Sequence, residues 1–158
     1  MRPYLLILGA VFGGCLLGQT PTNQTQVAGT ALVANPCQTA TLNFLPISEA
    51  TSSTTKIITG TSSKHTYICA ILLVSATAQN INLLSGTGTN CGTINGSYFG
   101  TNTSSGAAAN GPNLGANGGF ALGNGSAAVA RDNTAADDTC YTSSGSGQVS
   151  GVIVYVQQ

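Results

Sequence analysis

The sequence predicts an all-β fold: a single, disulfide-stapled, jelly-roll-like β-sandwich that follows an N-terminal signal segment. Three observations lead to this prediction. Short runs rich in Thr, Val, Ile and Leu recur along the chain, and no segment has the 3.6-residue apolar period of a helix. Gly and Asn cluster between these runs, as they do in turns. Four cysteines follow the apolar N-terminus, and an even number in an exported chain is typical of disulfides.

The N-terminus has the order of regions found in a secretory signal. Arg2 gives a short positive region, residues 4–17 are apolar, and polar residues follow. The apolar run is shorter than the roughly 20 residues that a transmembrane helix needs, so we predict no membrane span. Cleavage is expected after Gly18. Lipidation of Cys15 in the motif FGGC is a less favoured alternative, because the residues after it are still apolar. We therefore predict a secreted or extracellular-surface location.

The mature chain has the size of one domain. We divide the sequence into a signal peptide at 1–18, a polar segment with one strand at 19–36, and the β-sandwich domain at 37–158.

The four remaining cysteines are expected to form two disulfides. Four cysteines allow three connectivities, and the sequence does not decide between them. We favour Cys37–Cys69 with Cys91–Cys140.

Four β-prone runs precede the middle of the chain. Residues 25–33, 41–48 and 54–60 are short and rich in Thr with Val, Leu or Ile. Pro46 cannot donate to a sheet ladder, so the second run is expected at a sheet edge or at a bulge. Residues 65–76 are the most apolar segment after the signal and are apolar on both faces, which predicts a central strand.

Two further runs complete the predicted strands. Residues 79–86 follow the central strand after only two residues, which predicts a tight hairpin. The last run, residues 148–158, alternates so that one side carries Val149, Gly151, Ile153, Tyr155 and Gln157.

The middle of the chain is rich in Gly, Asn, Thr and Ser, and we interpret it as short strands joined by turns. Asn-Gly is the strongest short hairpin signal. The stretch SGTGTNCGT at 85–93 looks like a phosphate-binding loop, but it lacks the glycine spacing, the following helix and the lysine of nucleotide motifs. It is therefore interpreted as a hairpin turn stapled at Cys91. The Asn-Gly turns are expected at 95–96, 117–118 and 124–125.

The composition limits the possible partners. Only 5% of the residues are charged, against about 25% in ordinary soluble domains. The chain has no basic patch, so we predict no nucleic-acid partner. A surface of Ser, Thr, Asn, Gln and Gly has little electrostatic repulsion, which favours self-association or contact with other surface proteins.

The sequence offers little for catalysis or metal binding, and we predict no enzyme and no cofactor. The single histidine, His65, is expected to face solvent at the start of a strand, and no GxSxG motif is present. No metal site is predicted. A calcium site is the one alternative, although EF-hand spacing is absent and the stretch is read more simply as a polar turn. Its oxygen ligands would come from Asp132, Asn133, Asp137 and Asp138.

The chain from about residue 35 to 158 resembles a group of uncharacterised exported or phage-associated, four-cysteine, β-rich proteins of bacterial and environmental origin. No activity is assigned to that group, so the resemblance implies no catalytic residues. It implies a virion or cell-surface setting. The likeness rests on Cys37, Tyr67-Ile68-Cys69, Gly86-Thr87-Gly88, Cys91, Asn117-Gly118-Gly119, Cys140 and the strand from Gly151 to Tyr155.

We predict a non-enzymatic secreted or surface subunit with a structural or adhesive role, like a subunit of a fibre, a pilus or a virion surface. The alternative is a secreted glycan-binding module. In that module Tyr98, Phe99 and Phe120, on Gly/Asn-rich loops, would stack on sugar rings. The competing expectation for these aromatic residues is that they fill the core.

Expression in a Sec-competent bacterium should export the protein and shorten it by about 18 residues, because the signal peptide is removed. N-terminal sequencing of the exported fraction measures the cleavage. An intact N-terminus in the cytosolic fraction would contradict the signal assignment.

Overall fold

The structure, a computed structural model, describes residues 34–99 and 111–158. The signal segment and the strand predicted at 25–33 lie outside the described residues. The elements in chain order are α1 (Pro36–Thr39), β1 (Asn43–Glu49), β2 (Thr55–Ile58), β3 (Thr66–Ser75), β4 (Gln79–Thr87), a 3-10 turn (Thr89–Cys91), β5 (Thr93–Ser97), β6 (Asn113–Leu114), β7 (Gly119–Leu122), β8 (Ala130–Arg131), β9 (Asp138–Ser143) and β10 (Val149–Gln157).

The strands form two antiparallel sheets, which confirms the all-β prediction. Sheet A has the order β1-β10-β3-β7, and β8 also pairs with β3. Sheet B has the order β2-β9-β4-β5, and β6 also pairs with β4. Because β3 and β4 lie in different sheets, as do β9 and β10, the chain passes between the two layers several times.

The main hydrophobic core lies between the sheets. Burying one aliphatic side chain of this kind stabilises a fold by about 1.5–3 kcal/mol. The buried residues of this core are Ile47, Ile68, Ile71, Leu73, Val149 and Ile153 from sheet A and Ile81, Leu83, Leu114 and Tyr141 from sheet B.

Two strands of sheet A have the roles that the sequence predicts. Among the described residues β1 pairs only with β10, so Pro46 lies at a sheet edge, where its missing N–H is tolerated. In β10, Val149 and Ile153 are buried in the core, whereas Val154 and Val156 lie on the opposite face. The alternation predicted for the last strand is therefore confirmed.

The central strand β3 contains a β-bulge at Cys69. Ile68 and Ala70 face consecutive residues of β10, so Cys69 is one extra residue in β3. The extra residue shifts the alternation of side chains by one position. Ile68 before the bulge and Ile71 after it both face the core, while Cys69 and Ala70 both lie on the outer face. The Cys69 carbonyl accepts a hydrogen bond from the N–H of Gly125 (3.1 Å), which satisfies the bulged backbone.

Two local predictions are wrong. β3 and β4 do not form a hairpin, because the link between them crosses from sheet A to sheet B. The Ser75 hydroxyl holds this crossing: it donates to the carbonyl of Thr77 (2.7 Å) and accepts from Nε2 of Gln79 (2.7 Å). The pair Asn95-Gly96 is not a turn, since it lies inside β5 and pairs with β4.

Other turn predictions are confirmed. The stretch at 85–93 joins β4 to β5 as a hairpin, with Gly88 at a φ of 80° before the 3-10 turn. Asn117 has a φ of 56° in the turn between β6 and β7. That turn is not a hairpin, because β6 belongs to sheet B and β7 to sheet A. The one-turn helix α1 was not predicted; Asn35 caps it by accepting the N–H of Cys37 (3.1 Å).

Both disulfides have the connectivity that we favoured. Cys37–Cys69 ties α1 to the bulge of β3, and Cys91–Cys140 ties the turn after β4 to β9. The bridges span 32 and 49 positions of the chain, so each restricts a long loop in the unfolded state. Disulfides persist in oxidising compartments, and the two bridges therefore indicate an oxidising, extracellular environment.

Removing either bridge is expected to lower the free energy of unfolding by about 2–4 kcal/mol, because the unfolded chain gains loop entropy. Denaturant titration of Cys37→Ala/Cys69→Ala and of Cys91→Ala/Cys140→Ala measures the loss. Non-reducing peptide mapping of the mature protein checks the pairing. Recovery of four alkylatable thiols from natively exported protein would rule out the disulfide framework.

Candidate functional site

The outer face of sheet A carries three of the four large hydrophobic side chains that are exposed among the described residues. Phe44 of β1 is 68% exposed, and Leu72 and Val74 of β3 are 51% and 45% exposed. β10 lies between these two strands. Leu72 has Val152 of β10 and Ala121 of β7 as its cross-strand neighbours. We call this surface the outer apolar face; it consists of Phe44, Pro46, Leu72, Val74, Ala121 and Val152.

The other half of the same sheet face is covered by the chain itself. Cys37 of α1 and Leu42 pack against Val156 of β10, in a second hydrophobic cluster that also contains Cys69. The Cys37–Cys69 bridge fixes this cover in place. The cluster does not include Leu72, so the cover ends where the outer apolar face begins.

The outer apolar face has no charged side chain. Most of the charged groups at 34–158 are used inside the fold: Asp132 and Asp137 are buried, and Lys56 pairs with Asp138 (3.4 Å). The guanidinium of Arg131 lies over the ring of a tyrosine, 5.9 Å from its centroid. Charged residues are a usual protection of sheets against association, and this face lacks it.

The loop between β8 and β9 buries a carboxylate against the start of β3. Asp132 is 2% exposed. Its Oδ1 lies 2.5 Å from Nδ1 of His65, and its Oδ2 accepts the N–H of Thr66 (2.8 Å). The side chain of His65 is 27% exposed. The expectation that His65 simply faces solvent is therefore wrong, because its Nδ1 hydrogen-bonds Oδ1 of Asp132, a buried carboxylate 67 positions away in the sequence.

Asp137 is the second buried carboxylate of this loop. It is 1% exposed, and its Oδ1 accepts from Nδ2 of Asn95 (2.8 Å). Burial raises the pKa of the Asp137 carboxyl above its usual range; the hydrogen bond from Asn95 lowers it, and the nearby carboxylate of Asp132 raises it further. The hydroxyl of Ser85, which is also buried, lies close enough to the carboxyl to lower its pKa as well. Burial therefore makes the charged form of Asp137 less favourable in the fold than in water.

The four residues considered for calcium do not share one centre. Asp132 uses both oxygens at the start of β3, Asp137 contacts β5, and Asp138 pairs with a lysine of β2. Asn133 donates to the carbonyl of Asn95 (3.4 Å). In the described ranges no group of three or more His, Cys, Asp or Glu residues could hold a metal ion. The stretch is also not a simple polar turn, because two of its carboxylates point inward.

The three aromatic residues considered for glycan stacking pack against the main core. Tyr98, Phe99 and Phe120 are all partly buried there. The Tyr98 hydroxyl hydrogen-bonds Oγ1 of Thr139 (2.8 Å), and burial raises the pKa of its phenol. The rings of Phe99 and Phe120 meet edge to face, with centroids 5.3 Å apart. The structure therefore brings the two phenylalanines together and turns Tyr98 towards the interior.

Comparisons with known proteins give no match: no protein-family model, no curated protein and no solved structure is similar to this chain. None of the helices in the described part is long and apolar enough to cross a membrane.

One sequence signal points to the outer apolar face. Residues 65–76 are apolar on both faces, and this pattern predicts a strand that is buried on both sides. A two-layer sandwich, however, buries only one face of each sheet. The outer apolar face of such a strand is therefore either covered by a third layer of the chain or left exposed. On the outer face of β3, the first half is covered by α1, and the second half, which carries Leu72 and Val74, is exposed.

The substitution Asp137→Asn is expected to weaken the pH dependence of stability. The folded pKa of Asp137 is raised, so the native state binds more protons than the unfolded state between the usual carboxyl pKa and the raised one. The wild type therefore loses stability as pH rises through that window, and the variant lacks this loss. Thermal midpoints measured across the acidic range test the slope.

Asp138→Asn is the matched control for that experiment. It removes a neighbouring carboxylate whose Oδ2 pairs with Lys56 at 3.4 Å. The control should keep most of the wild-type slope, because the Asp138 carboxylate is the smallest of the causes that raise the pKa of Asp137. Identical slopes in Asp137→Asn and the wild type would show that the Asp137 carboxyl does not carry the pH dependence.

Proposed function

We propose that the protein is a non-enzymatic structural or adhesive subunit of an exported surface assembly, such as a fibre, a pilus or a virion surface. In this proposal residues 1–18 are an export signal. The mature chain folds as a jelly-roll-like sandwich, and its copies associate outside the cell. The outer apolar face is the single observation that carries the proposal.

The character of this face supports association. Exposed apolar side chains that are grouped on one face favour contact with another molecule, because contact removes their surface from water. Here Phe44, Leu72 and Val74 lie on one sheet face without a neighbouring charge. The two disulfides add to the case, because a subunit that works outside the cell has to keep its fold without cytosolic chaperones.

The chemistry of the described residues supports a role without catalysis. Their four cysteines are all bonded in disulfides, so none of them supplies a thiolate nucleophile. The Nδ1 atom of His65 and both carboxylate oxygens of Asp132 are used to hold a loop against β3. The glycan-binding alternative gains no support from Tyr98, whose hydroxyl is used on Thr139 inside the sandwich.

Purified mature protein is expected to form ordered oligomers or polymers, because association removes the outer apolar face from water. Native mass spectrometry and electron microscopy over a range of protein concentrations measure the assembly. A protein that stays monomeric at high concentration and binds a glycan array would contradict the proposal and favour the glycan-binding module.

A further inference from the structure

We propose that Asn124 is a site of spontaneous covalent modification, at which the backbone nitrogen of Gly125 attacks the side-chain amide of Asn124 at a rate that the bulge at Cys69 controls. The inference goes beyond the proposed function and does not depend on it. Three features of the turn after β7 lead to it: the Asn-Gly pair itself, two donors on the amide oxygen, and the contact that holds the attacking nitrogen.

The reaction needs no partner other than water. The lone pair of the Gly125 nitrogen forms a bond to Cγ of Asn124, and the proton of this nitrogen passes to solvent. The bond between Cγ and Nδ2 then breaks, and the amide group takes up a proton and leaves as ammonia. Water opens the resulting succinimide ring at either carbonyl, which gives aspartate or isoaspartate. A following glycine favours the attack because it has no Cβ to crowd the nitrogen.

The side-chain amide of Asn124 is held in a way that favours the attack. Asn124 is exposed. Its Oδ1 accepts both the backbone N–H of Ser126 (3.0 Å) and the hydroxyl of Ser126 (2.6 Å). Attack at Cγ moves negative charge onto this oxygen, and donors that are already in place stabilise such a charge as it develops. The two donors of Ser126 therefore stabilise the tetrahedral intermediate.

The attacking nitrogen is restrained by the bulge of β3. The N–H of Gly125 donates to the carbonyl of Cys69 (3.1 Å). A Cβ added at Gly123 would lie 2.5 Å from the same carbonyl oxygen, so the turn packs directly on the bulge. The nitrogen has to leave this hydrogen bond before it can lose its proton and turn towards Cγ. Because the bridge to Cys37 holds the bulge in place, the bridge also limits how often the nitrogen is released.

The described residues contain two other complete Asn-Gly pairs, and neither has this arrangement. Asn95 lies inside the extended strand β5, and its Nδ2 donates to Oδ1 of Asp137 (2.8 Å). Asn117 lies in the turn between β6 and β7, where the N–H of Gly118 donates to the carbonyl of Gly115 (2.9 Å). This second contact is made within the turn and involves neither the bulge nor a disulfide. Asn117 is therefore an internal control for Asn124.

Modification at Asn124 changes the part of the chain that anchors α1. The carbonyl of Ser126 accepts from Nδ2 of Asn35 (3.0 Å), and the N–H of Ala128 donates to Oδ1 of Asn35 (3.3 Å). Asn35 is the N-cap of α1. Isoaspartate adds one carbon atom to the backbone of this link, and both products add a carboxylate to a protein in which only 5% of the residues are charged. The reaction therefore alters the surface charge and the anchor of α1 together.

The folded mature protein, incubated in mildly alkaline buffer, is expected to convert at Asn124 before Asn117. Digestion without reduction and mass spectrometry with electron-transfer fragmentation measure aspartate and isoaspartate at each site. Cys37→Ala/Cys69→Ala should speed conversion at Asn124 by about two- to tenfold, because the release of one hydrogen bond is worth about that factor. Conversion at Asn117 should keep its wild-type rate in the same variant.

Ser126→Ala and Ser126→Thr form a matched pair that leaves the bridge intact. Loss of the hydroxyl in Ser126→Ala should slow conversion at Asn124 by about two- to tenfold, whereas Ser126→Thr keeps the hydroxyl and the rate. If Ser126 only held the turn in place, its loss would speed conversion instead. This pair tests the site even if the cysteine variant does not fold.

Three results would overturn the proposal. Conversion at Asn117 without conversion at Asn124 would show that Asn124 is not the site. Equal acceleration at Asn117 and Asn124 in the cysteine variant would show that general unfolding, and not the bulge contact, releases the nitrogen. Equal rates in Ser126→Ala and Ser126→Thr would show that the hydroxyl does not stabilise the intermediate. None of these results bears on the assembly of copies.

Discussion

The bulge at Cys69 is the constraint on which the organisation of sheet A depends. Both sides of β3 carry apolar residues, so hydrophobic burial alone allows either side to face sheet B. Without the bulge, the alternation that starts at Ile68 would turn Leu72 inward and expose Ile71 and Leu73. The extra residue reverses this, and the bridge to Cys37 holds the outward position of Cys69. The disulfide and the bulge together decide which apolar side chains form the core and which form the outer apolar face.

This division explains why the outer face of sheet A is covered over one half and exposed over the other. The bridge places α1 over the first half of β3 and β10, where Val154 and Val156 are buried. Beyond the bridge the outward residues of β3 are exposed, and the chain has no charge there to keep a neighbour away. On our proposal this half is the contact between copies. In another part of the fold, the loop between β8 and β9 buries the carboxyl groups of Asp132 and Asp137, and burial of these polar groups costs stability.

The sequence predicts those parts of the fold that depend on local chemistry. Pro46 indicates an edge strand because it lacks an N–H, and the alternation around Ile153 is that of a strand with one side in the core. Contacts between distant residues leave no such local mark. His65 and Asp132 are 67 positions apart, and nothing near either residue indicates the pair. The crossing at Ser75 escaped prediction because a two-residue link between strands is usually a hairpin.

The central claim is that the outer apolar face is buried between copies. Carbene footprinting of the exported protein, compared between its assembled and dissociated states, measures side-chain accessibility directly at that face. The account predicts reduced labelling of Phe44, Leu72 and Val74 in the assembled state and unchanged labelling of Leu122. Equal labelling of the three face residues in both states would contradict it.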